Sequence, residues 1–283
     1  MQPSLRSRTA LRGALRRAAH QVLDTPTVLD DPLALRIIGA AASEIRSDPA
    51  SHQTAAARRF RAFLVARSRY AEDQLAASVA RRVSQYLILG AGLDTAAYRG
   101  LARKDGLKVF EVDHPSTQNW KIDSLQAAEI PVPSTVTFVP VDFERQELSA
   151  ELSAAGFHPD EPALVSWLGV VPYLTKEAAA RTFEFLGKLP AGSSVVFDYA
   201  VPAASLPLIE RLALKALARR VARAGEPFRL FFTPEDLNEF LKGFGFQRIE
   251  QLGSDEINGR YFANREDGLG VSGRVGRIVG AWT

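Results

Sequence analysis

The first part of the chain has apolar residues at helical spacing and contains no strand-like run. An Ala/Leu/Arg-rich stretch favours a helix over residues 8–23. Asp30-Asp-Pro32 predicts the start of a second helix over residues 33–39, because proline is tolerated at the first helical position. Residues 55–82 predict one long helix or two shorter ones. We therefore expect residues 1–82 to form a helical extension.

From Gln85 onward, short β-rich apolar runs alternate with helical patterns. Such runs are typical of buried parallel strands, and they occur at residues 85–89, 107–112, 136–141, 163–167 and 194–199. A helical pattern over residues 177–189 separates the last two. This alternation predicts right-handed crossovers and a mostly parallel sheet with helices on its faces. The expected fold class is therefore α/β, in a Rossmann-like arrangement.

The last third of the chain is less regular. Residues 206–224 have an amphipathic helical pattern whose apolar side carries Ile209, Leu212 and Leu217. Two candidate closing strands follow, at residues 246–252 and 275–282. We expect residues 83–283 to form the sheet-containing core, with the 206–224 helix inserted into it as a cap.

Composition excludes several kinds of chemistry. The 283 residues include no cysteine, which excludes disulfides, thiolate metal sites and cysteine nucleophiles. The four histidines, at positions 20, 52, 114 and 158, show no metal-binding spacing, so no metal site is predicted. No apolar run approaches the roughly 18 residues of a membrane helix, and no signal-peptide core is present. We therefore expect a cytoplasmic protein without a membrane partner.

Charge leaves one alternative open. The net charge is only +3, but arginines cluster at residues 6–17 and again at residues 211–223. A non-catalytic module could use such clusters to bind a nucleoside or RNA through phosphates. A solvated helix face explains them as well. Because no aromatic residues are interleaved with the arginines, we expect no nucleic-acid partner.

A glycine-rich turn, Gly90-Ala91-Gly92, directly follows the first predicted strand. Glycines let the backbone approach a ligand closely, and a following helix N-terminus would offer free N–H groups. In an open parallel sheet the ligand lies beyond the carboxyl ends of the strands. An acidic residue about 20 positions further on can bind ribose hydroxyls, and both Glu111 and Asp113 satisfy that spacing.

Two further features concern the kind of nucleotide. The third strand ends in Asp142-Phe143, where a carboxylate and an aromatic ring could hold an adenine. A dinucleotide fingerprint requires a glycine where Thr95 stands, which argues against NAD or FAD. A nucleoside without a pyrophosphate therefore fits this turn better than NAD does. A nicotinamide-dependent oxidoreductase is kept as the alternative function.

Taken together, these motifs resemble the leucine carboxyl methyltransferase-like family of S-adenosyl-L-methionine-dependent enzymes, in its bacterial O-methyltransferase branch. The similarity runs from about residue 15 to about residue 200. Its matching stretches are Asp30-Asp-Pro-Leu-Ala34, Arg67-Ser-Arg-Tyr-Ala-Glu-Asp73, Leu89-Gly-Ala-Gly-Leu-Asp-Thr95, Glu111-Val-Asp-His-Pro115, Val141-Asp-Phe143 and Trp167-Leu-Gly-Val-Val-Pro-Tyr-Leu174. The resemblance implies a class I methyltransferase that methylates a hydroxyl or carboxylate of a small molecule.

The resemblance also implies contacts with the methionine part of the cofactor. Gly90, Ala91 and Gly92 would line it. Arg67, or alternatively Arg69, would pair with its carboxylate, because a planar guanidinium suits a bidentate grip.

At the adenosine part, Asp113 would bind the ribose hydroxyls, with Glu111 as a second candidate. Asp142 and Phe143 would hold the adenine. Eukaryotic members carry a cofactor-facing glutamate where this chain has Leu168. The amino group of the methionine would then be held by backbone carbonyls of that loop, and a protein C-terminus becomes a less suitable substrate.

The acceptor pocket is expected between the N-terminal helices and the 206–224 helix. Its predicted lining is aromatic and comprises Trp167, Tyr173, Tyr199 and residues 228–232. Asp198, Tyr199 and His114 are candidate bases, although a structural role explains each of them equally, so no catalytic residue is assigned. We expect a monomer or a homodimer.

Overall fold

The computed structural model describes residues 5–100, 106–223 and 227–283. Helices precede the first strand, as predicted; they are α1 (Leu5–Leu23), α2 (Ala34–Ile37), α3 (Ala42–Ser47), α4 (Pro49–Gln53) and α5 (Ala55–Ala80). Helix α5 begins where the Thr54 hydroxyl accepts the N–H of Ala57 at 3.2 Å, a typical N-cap. None of the helices in the described residues is both long enough and apolar enough to cross a membrane.

A seven-stranded sheet follows. Its strands are β1 (Gln85–Leu89), β2 (Lys108–Asp113), β3 (Val136–Pro140), β4 (Ala163–Trp167), β5 (Ser194–Ala200), β6 (Arg248–Leu252) and β7 (Gly276–Trp282). They lie in the order β3-β2-β1-β4-β5-β7-β6. Strands β1 to β5 are parallel, and β7 runs antiparallel between β5 and β6. The predicted α/β, Rossmann-like class is therefore confirmed, and the strand order reverses between β1 and β4, where ligands bind in open sheets.

The helices between and after the strands are α6 (Pro115–Ala127), α7 (Leu148–Ala154), α8 (Lys176–Gly187), α9 (Leu208–Arg223), α10 (Pro234–Gly243) and α11 (Ser254–Tyr261). The sequence pattern did not single out α6. The reason is that α6 buries Thr117, Gln118 and Lys121 beside a single leucine, Leu125, so its inner face is mostly polar.

The two faces of the sheet bury separate hydrophobic clusters. Along β1, Tyr86 and Ile88 face the cluster formed with α1 and α5, whereas Leu87 and Leu89 face the cluster beneath α8 and α10. This alternation follows from the two-residue period of a strand. Because the N-terminal helices share a core with the sheet, the division of the chain at residue 82 stays a prediction.

Buried polar contacts also attach the N-terminal helices to the turn after β1. The Thr95 hydroxyl donates to Asp31 at 2.7 Å, and Arg99 forms a two-pronged ion pair with Glu72. Arg17 donates to the carbonyl oxygen of Leu93 at 2.6 Å. Thr95 stands where a dinucleotide fingerprint would have glycine. Its hydroxyl instead binds the N-terminal helical segment to the turn after β1.

Helix α9 corrects one expectation. Its predicted apolar side does not pack as a cap, because Ile209 and Leu212 are 82% and 59% exposed and Leu208 is 67% exposed. Among the α9 side chains that the structure describes, Leu214 is the one buried in the core. Residue 224, the predicted end of this helix, and the side chain of Leu217 lie outside the described residues.

Candidate functional site

A cavity of about 280 Å³ opens at the carboxyl edge of the sheet, where the strand order reverses. Its walls come from the turn after β1, the ends of β2 and β3, the loop after β4, and helices α1 and α5. Its volume is close to the lower end of the range of about 300–1,000 Å³ typical of ligand pockets. Of the predicted cofactor residues, it brings together Arg67, Gly90, Ala91, Gly92, Asp113, Asp142, Phe143 and Leu168.

The glycine turn is closely packed, and the N–H groups of its three residues are already hydrogen-bonded. Gly90 and Gly92 have φ of +68° and +46°, a region that favours glycine. A Cβ at Gly90 would lie 2.3 Å from Cγ2 of Val170, so only glycine fits under the loop after β4. The N–H groups of Gly90 and Ala91 are bonded to the carbonyl oxygen of Val112. In the described residues only a short 3-10 helix, Ala96–Tyr98, follows the turn, so the expected helix N-terminus with free N–H groups is not found there.

Asp113 lies at the end of β2 and faces the cavity. One carboxylate oxygen accepts the N–H of Gly92 at 2.6 Å, and the other accepts the N–H of His114 at 2.7 Å. Burial raises the pKa of Asp113, and these two hydrogen bonds oppose that rise. A carboxylate can accept about four hydrogen bonds, so both oxygens retain capacity for ligand hydroxyls.

Glu111, the second ribose candidate, does not line the cavity. Its carboxylate accepts hydrogen bonds from Lys121 at 2.7 Å and from the hydroxyl of Tyr98 at 2.8 Å. Burial raises the pKa of Glu111, and the two partners oppose the rise. Residue 111 lies two positions, or about 6–7 Å, below the strand end, and helix α6 covers it. The expectation for Glu111 is therefore corrected.

The pair at the end of β3 lies beside Asp113. Asp142 and Phe143 both line the cavity. One oxygen of Asp142 accepts the N–H of Glu144 at 3.0 Å, and the other lies 4.0 Å from Nε2 of His114. His114, which also caps α6 through Ser116, thus lies next to the predicted ribose and adenine contacts.

The two candidate arginines are separated by the structure. Arg67 lines the cavity and pairs with Asp198 at 3.0 Å. Arg69 lies outside this cavity, where it pairs with Asp73 at 2.8 Å. Leu168 faces the cavity with an apolar side chain, so it brings no charge to the site.

Arg17 is a cavity residue that the sequence analysis assigned to a solvated face. It is only 9% exposed and lines the cavity together with Thr9 and Gly13. Positions 9, 13 and 17 share one face of a helix because they are four residues apart, and this spacing was the available signal. Arg16 points elsewhere and contacts His52 at 3.2 Å. The side chains at positions 6 and 8 lie outside the described residues.

The predicted acceptor pocket is only partly found. Tyr173 lines the cavity, and its ring lies 5.2 Å from that of Phe228. Trp167 is fully buried in the core, and Tyr199 donates its hydroxyl to Gln251 at 2.6 Å, so neither forms a wall of the cavity. Pro227 and Arg229 line the cavity, whereas none of the described residues of α9 does.

The three candidate bases have different surroundings in the structure. Asp198 accepts hydrogen bonds from Arg67 and from the N–H of Gly169 at 2.6 Å, so its carboxylate is engaged. Tyr199 is buried, and burial raises the pKa of its hydroxyl. His114 borders the cavity at the end where Asp113 and Asp142 meet. No catalytic residue is assigned from this geometry.

The sequence is similar to a family of methyltransferases. The family described as "Leucine carboxyl methyltransferase" matches residues 10–187. The protein named "Putative S-adenosyl-L-methionine-dependent methyltransferase YktD" from Bacillus subtilis is 32% identical, over 95% of this chain and 95% of its own. A "Putative S-adenosyl-L-methionine-dependent methyltransferase" from Mycobacterium avium is 32% identical over 66% of this chain and 62% of its own length.

Solved structures share the fold. A crystal structure of a "putative methyltransferase" from Thermobifida fusca superposes with a TM-score of 0.58 at 16% identity, covering 96% of this chain and 94% of its own. A DUF574 family protein from Streptomyces avermitilis superposes with a TM-score of 0.52 at 15% identity, covering 95% and 96%. At such low identity the likeness concerns the fold alone.

Proposed function

The chain belongs to the leucine carboxyl methyltransferase family, and we propose that its cavity binds S-adenosyl-L-methionine beside a small-molecule acceptor. The chain is an S-adenosyl-L-methionine-dependent methyltransferase, and the proposed reaction is methylation of a hydroxyl or carboxylate oxygen. One observation carries the proposal: Asp113, the glycine turn, the Asp142-Phe143 pair and Arg67 all border one cavity.

The residues at the adenosine end fit this ligand. Asp113 keeps acceptor capacity on both oxygens although it already binds two backbone amides. It would hold the ribose hydroxyls, while Phe143 would pack on the adenine and Asp142 would accept its exocyclic amine. Val170 packs so closely over Gly90 that a Cβ at position 90 would displace the loop after β4, which borders the same cavity.

At the methionine end of the cavity, the fit to the ligand depends on two guanidinium groups. Arg67 and Arg17 both border the cavity, and the side chain of Arg67 stays 16% exposed although it pairs with Asp198. These guanidinium groups would hold the carboxylate of the methionine. The side chain of Leu168 cannot accept a hydrogen bond. We therefore assign the ammonium group of the methionine to backbone carbonyl oxygens of the loop after β4.

The chain's own contribution to the reaction would be orientation. The sulfonium supplies a methyl group that is already activated for displacement. Helices α1 and α5 form one side of the cavity, and Tyr173 borders it from the loop after β4. Holding two reactants in line can contribute up to about 7–11 kcal/mol. A carboxylate acceptor needs no base, whereas a hydroxyl needs one within hydrogen-bond reach.

The test is a screen of small phenols and carboxylic acids with cofactor labelled in its methyl group. We expect label in an ether or ester product, and mass spectrometry identifies the methylated atom. Base-labile label would indicate a carboxylate acceptor. Label found on nitrogen or sulfur of the preferred acceptor would contradict O-methylation while leaving the methyltransferase assignment intact.

A further inference from the structure

We propose that Asp198 is a positioning residue, which holds Arg67 and the loop after β4 in the arrangement that receives the methionine end of the cofactor. The proposal rests on the proposed function, because it assumes that this cavity binds S-adenosyl-L-methionine. It assigns Asp198 no contact with the reacting atoms.

One carboxylate joins two separate walls of the cavity. An oxygen of Asp198 accepts a hydrogen bond from Nη1 of Arg67, on α5, at 3.0 Å. Its other oxygen accepts the N–H of Gly169, in the loop after β4, at 2.6 Å. The side chains of Asp198 and Arg67 are only 7% and 16% exposed, so water competes little for these charge-assisted bonds.

Gly169 shows that the arrangement is tight. Its φ is +72°, and a Cβ there would lie 2.8 Å from Nη2 and 3.0 Å from Nη1 of Arg67. The guanidinium therefore packs directly against the backbone of Gly169. Because Val170, the next residue, covers Gly90, the position of this loop also determines the space above the glycine turn.

Arg67 retains donors for a ligand. A guanidinium carries five N–H donors; Asp198 takes one of the four on the Nη atoms, and the side chain stays 16% exposed at the cavity. A guanidinium fixed on one side can offer its remaining donors to a carboxylate without losing further side-chain freedom on binding. Without Asp198, binding of the ligand would have to order Arg67 and the loop together.

The experiment compares two ligands by calorimetry, S-adenosylhomocysteine and 5′-methylthioadenosine. They share adenine, ribose and thioether, but only the first has the amino-acid end. Asp198→Asn keeps the size of the side chain but replaces one acceptor with a donor, so it cannot serve both Arg67 and Gly169. We expect its Kd for S-adenosylhomocysteine to rise about 10–100-fold and its Kd for 5′-methylthioadenosine to change less than about threefold.

The matched control is Asp73→Asn, which breaks the Arg69 pair on the same helix but outside the cavity. It should leave both Kd values unchanged. An equal loss for both ligands in Asp198→Asn, or no loss for either, would overturn the positioning role while leaving the proposed function standing. A wild-type protein that binds neither ligand would overturn both proposals.

A second readout needs no variant. In the unliganded wild-type protein, the amide proton of Gly169 should exchange slowly with solvent in NMR spectra, because Asp198 accepts it. The same amide should stay protected after S-adenosylhomocysteine is added. Fast exchange before ligand addition would overturn the inference, since the loop would then not be held in advance.

Discussion

The hydroxyl of Thr95 donates a hydrogen bond of 2.7 Å to the carboxylate of Asp31, which is fully buried. Thr95 follows the glycine turn that borders the cavity, and Asp31 precedes helix α2. The bond therefore connects the N-terminal helices to the segment that shapes the proposed cofactor site. Motifs that are far apart in the sequence thus meet in one contact.

The first prediction concerns this bond. Thr95→Val keeps the shape of the side chain and removes the hydroxyl that donates to Asp31 and accepts from Nε of Arg99, so unfolding in urea should become easier by about 1–3 kcal/mol. The matched control is Thr135→Val, because the Thr135 hydroxyl oxygen is buried without a partner. Its removal should be neutral or stabilising. Equal effects of the two substitutions would show that the hydrogen bonds of the Thr95 hydroxyl contribute nothing to stability.

A second prediction separates Glu111 from Asp113. Glu111→Gln leaves the amine of Lys121, whose side chain is 2% exposed, without its counter-charge. The loss in stability should be about 3–5 kcal/mol. Affinity for S-adenosylhomocysteine, measured below the unfolding transition, should be unchanged because Glu111 does not line the cavity. A loss of affinity without a loss of stability would restore Glu111 as the ribose ligand.

A third prediction concerns acid stability. Burial opposes ionisation of Asp24, but hydrogen bonds from His20 and Arg61 outweigh it and lower the pKa from 3.8 to about 2. Because the folded-state pKa is the lower one, ionised Asp24 stabilises the fold above pH 3.8. This contribution, on the order of 2 kcal/mol, is lost as the pH falls towards 2.

Asp24→Asn cannot ionise, so it tests that pH dependence. The stability difference between wild type and variant, measured by denaturant unfolding, should be largest above about pH 5 and should shrink towards pH 2. A difference that stays constant over this range would contradict the role given to the ionised carboxylate.

A fourth prediction concerns the glycine turn. Gly90→Ala would place a Cβ 2.3 Å from Val170, so the loop after β4 must move and affinity for S-adenosylhomocysteine should fall. Adding Val170→Ala should restore part of the affinity. Gly268→Ala is the control, because Gly268 has φ of +63° but no atom within 4 Å of a Cβ. If Gly268→Ala weakened binding as much, close packing at Gly90 would not be the cause.

Much of the fold could be predicted because the parallel strands are mostly apolar. The predicted bounds of β1 and β4 agree with the structure, since every residue in both strands is buried. Helix α6 could not be predicted in the same way, because its buried face includes Gln118 and Lys121. Helix α9 was misjudged for the opposite reason, because apolar residues at helical spacing do not reveal whether anything packs on them.

The candidate site was predictable where chemistry and position in the strand coincide. Asp113 ends β2 and Asp142 lies two residues beyond the end of β3, so a ligand at that edge meets both. Spacing from the glycine turn could not separate Glu111 from Asp113, because both residues satisfy it. The structure distinguishes them because helix α6 covers Glu111 and leaves Asp113 facing the cavity. The contribution of Arg17 depends on how α1 docks against the turn, which local sequence does not specify.

The central claim is that the cavity binds the cofactor through Asp113, and calorimetric titration with S-adenosylhomocysteine tests it most directly. The Kd of Asp113→Ala should be at least about 30-fold higher than that of wild type, because the ribose hydroxyls lose charge-assisted bonds. The exposed Asp123→Ala on α6 should bind like wild type. Equal affinity of Asp113→Ala and wild type would contradict the account, as would a wild-type protein that does not bind S-adenosylhomocysteine.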